Sequence, residues 1–543
     1  MSKLPRLPQL PQPPSPPVEE VEELLVPEEQ VKIRVINFRQ TVVQSTAVLL
    51  SQPSPVEGKI LEATFHFPPG CFRPDTRIVM ADNTEKPIQK VKVGDAVLCH
   101  ACHGEVTQVF EREYEGEMLV IKPRGLQGLH VTPEHPFLAV KRAKREFPDV
   151  EPEWIRAGDL REGYWLVSPV PLESRDVDEI DLTEFIEFKG YDSEGKVYGE
   201  YAKQHLLHGI TKKRIQNLQE GTVRYKYSKN VVPKSIKLTD RFLRLVGYYL
   251  AEGNPKYDCK RYGGEYHPPK HPVGLNLTFG GKERILVEDA VKSIEETFGL
   301  VPQVRERKNK HTIDIEVASV PMALLMKKLC GEHYDGKKMH PLLMSLPPEK
   351  QEQIIIGLHL GDSADRQEGD VHGIRVKNPV LLSQVWTILN RLRKKPAHYK
   401  SDVVEWRDRV EKNNRFYFED WLVTPVVSIR RYRYKGKVHN FGVAKYNSYV
   451  AGKIAVHNCV ALVDVAFGVL RGSRWESIVP DKALETGTFL ALDNTLKSYP
   501  VNEPIEAGQR IWVYIRNRDG FWPHTPTITA TLQGVVKVPD REY

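Results

Sequence analysis

The chain has 543 residues, enough for several domains, with 40% hydrophobic and 27% charged residues and a formal net charge of +7. No run of 18 apolar residues occurs, which excludes an apolar membrane-spanning helix, and the basic excess permits a nucleic-acid partner without demanding one. Six cysteines in a chain of this length make no disulfide framework, and the opening MSKLPRLPQLPQPPSPP lacks the apolar centre of a secretory signal, so a reducing, cytoplasmic setting is expected.

Residues 1–30 hold seven prolines in their first eighteen positions and then an acidic run from Glu19 to Glu23, the pattern of a disordered, proline-rich tail. Residues 31–70 read as strands, at Val31–Ile36 and Ile60–Phe67, stopped by Pro68-Pro69-Gly70. From Cys71 the rhythm becomes one of short strands and turn glycines. It passes through Cys71-Phe-Arg-Pro-Asp-Thr-Arg-Ile78, Val93-Gly-Asp-Ala-Val-Leu98, Thr132-Pro-Glu-His135-Pro136 and Gly163-Tyr-Trp-Leu-Val167. After residue 420 the same rhythm returns and ends at Ile454-Ala-Val-His457-Asn458-Cys459.

The leading Cys, the Val-Gly-Asp-x-Val-Leu strand and the Thr-x-x-His-Pro box, in that order, resemble the N-terminal splicing region of an intein, the Hedgehog/intein β-fold. Residues 421–458 resemble its C-terminal region. The resemblance implies autocatalytic excision of residues 71–458 without a cofactor. Cys71 would attack the carbonyl of Gly70 to form a thioester, with Thr132 and His135 as helpers at that peptide. Cys459 would take over the acyl group, and Asn458 would cyclise and cleave the 458–459 bond with His457 assisting. His135 is expected to protonate the departing amine, because imidazole titrates near neutrality. One departure stands out: Val438-His-Asn440-Phe has Asn440 where many inteins carry Asp, which predicts slower early steps unless His439 or water compensates.

Residues 171–237 form a basic linker. Within it, 203–237 carry nine Lys or Arg against one acid. Leu207, Ile210, Ile215 and Leu218 suggest a short amphipathic helix pair with Lys212, Lys213 and Arg214 exposed, either a DNA contact or a solvated basic face. In 238–420 two helices share a signature. The first, capped by Thr239, runs Phe242 to Ala251 through Gly247 and ends at Glu252; the second, after Pro347-Pro348, runs Ile354 to Gly361 through Gly357 and ends at Asp362. Each is followed by a strand and another helix, an internal duplication that resembles the LAGLIDADG homing endonucleases. The resemblance implies a monomeric pseudo-dimer on double-stranded DNA, with Glu252 and Asp362 holding Mg²⁺. Ser363 and Leu360 depart from the family pattern at the second acid. Lys337, Lys338, Arg393, Lys394 and Lys395 are candidate phosphate contacts, with the solvated-lysine reading left open.

Cys99-x-x-Cys102 supplies two metal ligands and no obvious second pair, which favours a plain hairpin tip; Cys259 and Cys330 read as packing residues. Residues 459–543 add the strands Ile511–Arg516 and Thr525–Leu532 around a turn at Asp519-Gly520, and no catalytic constellation. The expected whole is an all-β splicing domain split by an α+β pseudo-dimeric endonuclease and inserted in a small, sandwich-like all-β host of unassigned function. Two other readings are a Hedgehog-type autoprocessing protein and a nuclease that stays at full length.

Overall fold

The computed structural model describes residues 70–141, 152–187, 190–194, 196–198, 218–225, 228–258, 261–262, 265–266, 272–366, 370–400, 402–407 and 415–458. It also describes the strands of the flanks, with a few residues beside them. The chain divides into two units, 70–458 and the joined pieces 1–69 and 459–543.

The larger unit is a β domain opened by a helical insert. The β domain is organised by two long strands, His103–Pro123 and Trp421–Val443, which pair antiparallel from Val106↔Val443 to Pro123↔Val426. The latter strand continues against Trp165–Pro169, with Pro169 opposite Trp421, so the chain leaves the β domain and re-enters it at adjacent positions. Phe416–Phe418 folds back on Trp421–Val423, so the returning β segment begins five residues before the expected boundary at 421. The two ends of the unit also meet within the sheet. Phe72 bridges both Val131 and His439, and Phe137 in the strand Pro136–Val140 pairs with Val456 in the closing strand Ile454–His457. The alternation read in the sequence is the cause: Phe72, Val131, Phe137, Phe441, Tyr449 and Val456 are fully or almost fully buried on the inner face.

The insert begins with β structure on either side of the expected helix pair, which itself lies outside the described residues. Gly190–Asp192, Val197–Tyr198, Thr222–Tyr225 and Val231–Pro233 form a four-stranded sheet, and these short stretches are rich in the strand formers Tyr, Val and Thr. Residues 201–217, with Lys212, Lys213 and Arg214, lie outside the described residues. Two similar halves follow. The first has the helix Asp240–Glu252, the helix Arg284–Phe298 and a four-stranded sheet; the second has Pro348–Gly361, Pro379–Arg391 and a three-stranded sheet. Thr239 caps the first helix by accepting from Phe242 N. The two lead helices cross at their glycines. A Cβ on Gly247 would lie 2.6 Å from Leu358 N, and one on Gly357 would lie 3.0 Å from Gly247 Cα, so only glycine permits this backbone approach.

Among the described residues, the smaller unit forms two five-stranded antiparallel sheets. Leu24–Leu25 pairs with Lys32 and Ile33, so the tail expected over 1–30 contributes an edge strand; its other residues lie outside the described ones. Arg510–Asn517 and Thr527–Lys537 belong to different sheets, and the turn expected at Asp519-Gly520 lies outside the described residues. Each strand finds longer complementary partners elsewhere: Thr527–Lys537 matches Val31–Thr41 over its whole length.

Candidate functional site at Gly70–Cys71 and at the helix ends

The Gly70–Cys71 peptide is held on three sides. Cys71 N donates to Thr132 Oγ1 at 2.9 Å, and Thr132 N donates to Cys71 O at 3.0 Å, so Thr132 grips the amide nitrogen that would leave. The ladder Phe72–His439, with Phe72 N to His439 O at 2.9 Å and His439 N to Phe72 O at 2.8 Å, sets Asn440 beside the preceding carbonyl. Asn440 Nδ2 donates to Gly70 O at 2.6 Å. The amide orientation is fixed from behind, because Phe441 N and Tyr449 Oη both donate to Asn440 Oδ1, at 2.7 and 2.8 Å. His439, the residue expected to compensate, instead sits near Glu111, 3.8 Å from its carboxylate. On the third side His135 packs against Gly70 itself: a Cβ there would lie 2.6 Å from His135 N.

The resting protonation states follow from burial. The Cys71 thiol is pushed up to about 11 by desolvation, opposed by the nearby Arg112 guanidinium, so it is protonated near neutral pH. Arg112 was not singled out in the sequence; it stands on the long strand His103–Pro123, whose side chains near the middle alternate in exposure. His135 is fully buried and pulled down to about 3, chiefly by desolvation, with the Gly70 backbone opposing and His457 adding to the shift. The expected near-neutral titration of His135 is therefore corrected: the ring is neutral at rest and delivers a proton only after receiving one.

At the other end, His457 Nδ1 lies 2.6 Å from Asn458 O. A carbonyl only accepts, so Nδ1 carries the hydrogen in this contact. Trp154 packs edge-on to the His457 ring at a centroid distance of 4.9 Å. The buried Asn458 amide fits one orientation best, with its nitrogen donating to Asn447 O at 2.9 Å and its oxygen accepting from Val443 N at 3.0 Å. Cys459 lies outside the described residues.

A second cluster forms where the two lead helices end. Glu252 closes one helix and Asp362 caps the other. Burial and then the charge of Asp362 push the Glu252 carboxyl up to about 7, and burial raises Asp362 as well. Lys337, expected as a DNA contact, is buried here; its Nζ donates to Ala251 O at 2.8 Å and its charge opposes both shifts. Burial lowers Lys337 in turn. This burial of a lysine is something a charge count along the sequence does not reveal.

The other candidate cations divide. Lys338 is exposed. Arg393 donates to Glu419 O at 2.6 Å and to Asp420 Oδ1 at 2.7 Å, and lies over the Tyr417 ring, a fastening between insert and β domain. Lys395 N donates to Tyr417 Oη, and Lys394 is half-buried. Their neighbour Arg391 is buried among backbone carbonyls. Cys99 and Cys102 close a tight turn, Cys99 N donating to Cys102 O, and Cys330 is buried; Cys259 lies outside the described residues.

Residues 70–155 match the family model of the Vint Hint-domain. A DNA helicase Hel308 of Thermococcus kodakarensis is 25% identical over 76% of this chain and 38% of its own length. An iron-sulfur cluster assembly SufBD family protein of Mycobacterium tuberculosis is 23% identical over 73% and 43%. The chain thus spans half or less of these curated relatives. Among solved structures, a mutant of the Ssp DnaB mini-intein variant M86 is 18% identical with a TM-score of 0.16, covering 20% of this chain and 66% of that one. I-DmoI in complex with DNA and Ca is 14% identical with a TM-score of 0.23, covering 31% and 82%. The family match opens at Gly70, the residue whose carbonyl Asn440 holds, so the part of the chain that carries the clamped peptide is the part similar to a Hint-domain.

Proposed function

We propose that residues 71–458, 388 residues in all, excise themselves and join the flanks into a 155-residue product. The observation that carries this reading is the clamp on the Gly70–Cys71 peptide: Asn440 on its carbonyl oxygen and Thr132 on its nitrogen. The first step is an isomerisation. The Cys71 sulfur bonds to the Gly70 carbonyl carbon, the carbonyl oxygen gains negative charge toward the Asn440 amide, and the carbon–nitrogen bond breaks. The thiol proton ends on the freed amine, with neutral His135 placed as the relay. Cys459 then exchanges onto the thioester. The Asn458 side-chain nitrogen attacks its own carbonyl, which the His457 Nδ1–H polarises, and releases a succinimide-ended insert. The amine of Cys459 finally takes the acyl group and leaves a Gly70–Cys459 peptide. Attack within one chain gains an effective concentration of about 10⁵–10⁸ M when the geometry is right.

Two observations support the reading. The division of the chain into units falls at 69/70 and 458/459, within one bond of the proposed junctions. The two relatives carry unrelated names, a DNA helicase and a SufBD protein, yet each matches over about three quarters of this chain, as a likeness carried by the insert rather than by a host would. We further propose that the insert is a homing endonuclease that cuts double-stranded DNA at the uninterrupted insertion site, acting as a monomeric pseudo-dimer. Glu252 and Asp362 fit a divalent cation, because burial opposes the charge on both and the charge of Asp362 opposes that on Glu252 as well. Mg²⁺ bound there would activate water for phosphodiester hydrolysis. The two carboxylates would hold the ion and the glycine crossing would hold the carboxylates. Lys338 is left as a phosphate contact. The reducing cytoplasm suits free thiols.

Expression in a reducing host followed by intact mass measurement tests splicing. The expected products are the 388-residue insert and the ligated flanks; Asn458→Ala blocks cleavage at 458–459, and Cys71→Ala blocks the thioester. A full-length chain that survives thiol treatment overturns the proposal. Cutting of DNA spanning the insertion point with Mg²⁺, lost in Glu252→Ala, tests the nuclease separately.

A further inference from the structure

Beyond both reaction centres, the second half of the insert gathers two histidines and a carboxylate. His359 stands in the last turn of the helix Pro348–Gly361. Past the helix end the chain forms a narrow ladder, with Ser363 bridging Ile374 and Arg366 bridging Val371. That antiparallel register sets Asp365 opposite His372, on one face of the ladder. Asp365 Oδ1 lies 2.7 Å from His359 Nε2, and Asp365 Oδ2 lies 3.6 Å from His372 Nδ1. One ligand atom from each residue falls within 4.8 Å of the other two.

The surroundings are those of a held site. Gly373 N donates to Asp365 Oδ1 at 2.8 Å and fixes the carboxylate from behind. Trp406 backs both imidazoles, with centroids 5.1 Å from His359 and 5.4 Å from His372. Two imidazole nitrogens and one carboxylate oxygen suit a borderline cation at bond lengths of about 2.0–2.2 Å, and they leave a coordination position open to solvent. An oxygen-seeking cation such as Mg²⁺ finds too few oxygens here. We propose that His359, Asp365 and His372 bind one divalent cation of the zinc class, which ties the end of the second lead helix to its sheet and steadies the segment carrying Asp362. Among the described residues no such trio occurs in the first half, so the site is a feature of one half only.

The test uses the full chain, stripped by chelator and titrated with Zn²⁺, and with Co²⁺ for its visible absorption. One equivalent is expected to bind, with a four- or five-coordinate Co²⁺ spectrum, a rise in thermal stability, and no competition from millimolar Mg²⁺. His359→Gln and His372→Asn are each expected to weaken binding on the order of a hundredfold, while keeping the far-ultraviolet circular dichroism of the parent. Two variants guard against one that fails to fold. The proposal is overturned if the parent takes up no Zn²⁺, if both folded variants bind as the parent does, or if Cys99→Ser with Cys102→Ser removes the uptake instead.

Discussion

Asn440 Nδ2 lies 2.6 Å from the carbonyl oxygen of Gly70, with its own oxygen held by Tyr449 Oη and Phe441 N. A donor fixed before the reaction stabilises charge that appears on that oxygen without reorganising. The residue that departs from the expected pattern in the sequence is therefore a fixed donor on the Gly70 carbonyl.

Asn440→Ala is expected to slow thioester formation by about 10²–10³-fold, the usual cost of removing one oxyanion donor. Thiol-induced cleavage at Gly70 in an Asn458→Ala background reads that step alone. Asn440→Asp replaces the donor with an acceptor facing a carbonyl oxygen and is expected to slow the step as well. Cleavage at the parent rate in both variants would exclude the role.

The residue before the junction is constrained by sterics. Gly70→Ala puts a Cβ 2.6 Å from His135 N, inside a buried backbone contact. Such overpacking costs about 1–3 kcal/mol, and here the strain falls on the reacting peptide or on His135. The first step is expected to drop at least tenfold, while cleavage at 458–459, read in Cys71→Ala, stays within twofold of the parent. Equal loss at both junctions would point to general unfolding instead.

How far the sequence carried this picture differs from residue to residue. Cys71, Thr132, His135, His457 and Asn458 were legible because their types and order form a pattern, and the glycines 247 and 357 because each sits mid-helix in a repeated signature. Asn440 and Arg112 were not, because their meaning comes from pairing across more than 300 residues, Asn440 opposite Phe110 and Arg112 opposite Val438. Lys337 was misread for a related reason: a cation in a basic run looks solvated until the fold shows that it is buried against a backbone carbonyl. The partners of Thr527–Lys537 were likewise set by strands at the far end of the chain.

Arg391 ties the second half of the insert to the segment by which the chain leaves the β domain. Its Nε donates to Pro171 O at 3.0 Å, its Nη1 to Leu346 O at 2.9 Å and Gln351 Oε1 at 2.5 Å, and its Nη2 to Ser174 Oγ at 2.6 Å. Burial lowers the guanidinium to about 10. Arg391→Met removes these bonds and leaves buried carbonyls without donors, each costing about 1–3 kcal/mol. The expected result is a marked fall in melting temperature, with the insert unfolding ahead of the β domain, while Lys338→Ala at the surface changes neither. A single unshifted transition in Arg391→Met would refute this fastening.

The acid pair fixes a sign for the pH response. Glu252 is raised from its ordinary 4.5 to about 7, so the folded state binds its proton more tightly than the unfolded chain does. The penalty for ionising it is absent below the unfolded value and grows as pH rises from about 4.5 to about 7, so this group lowers stability across that window. A divalent cation favours the ionised pair and acts in the opposite direction. Without metal, the melting temperature is expected to fall between pH 5 and 8 by more in the parent than in Glu252→Gln. Adding Mg²⁺ at pH 8 is expected to raise it in the parent and little in the variant, which is also expected to lose DNA cleavage. Differential scanning calorimetry in chelator and in Mg²⁺, at both pH values, checks the two signs together. A parent and variant with the same pH slope would mean that Glu252 ionises freely, and the carboxylate pair would then have no need of a cation.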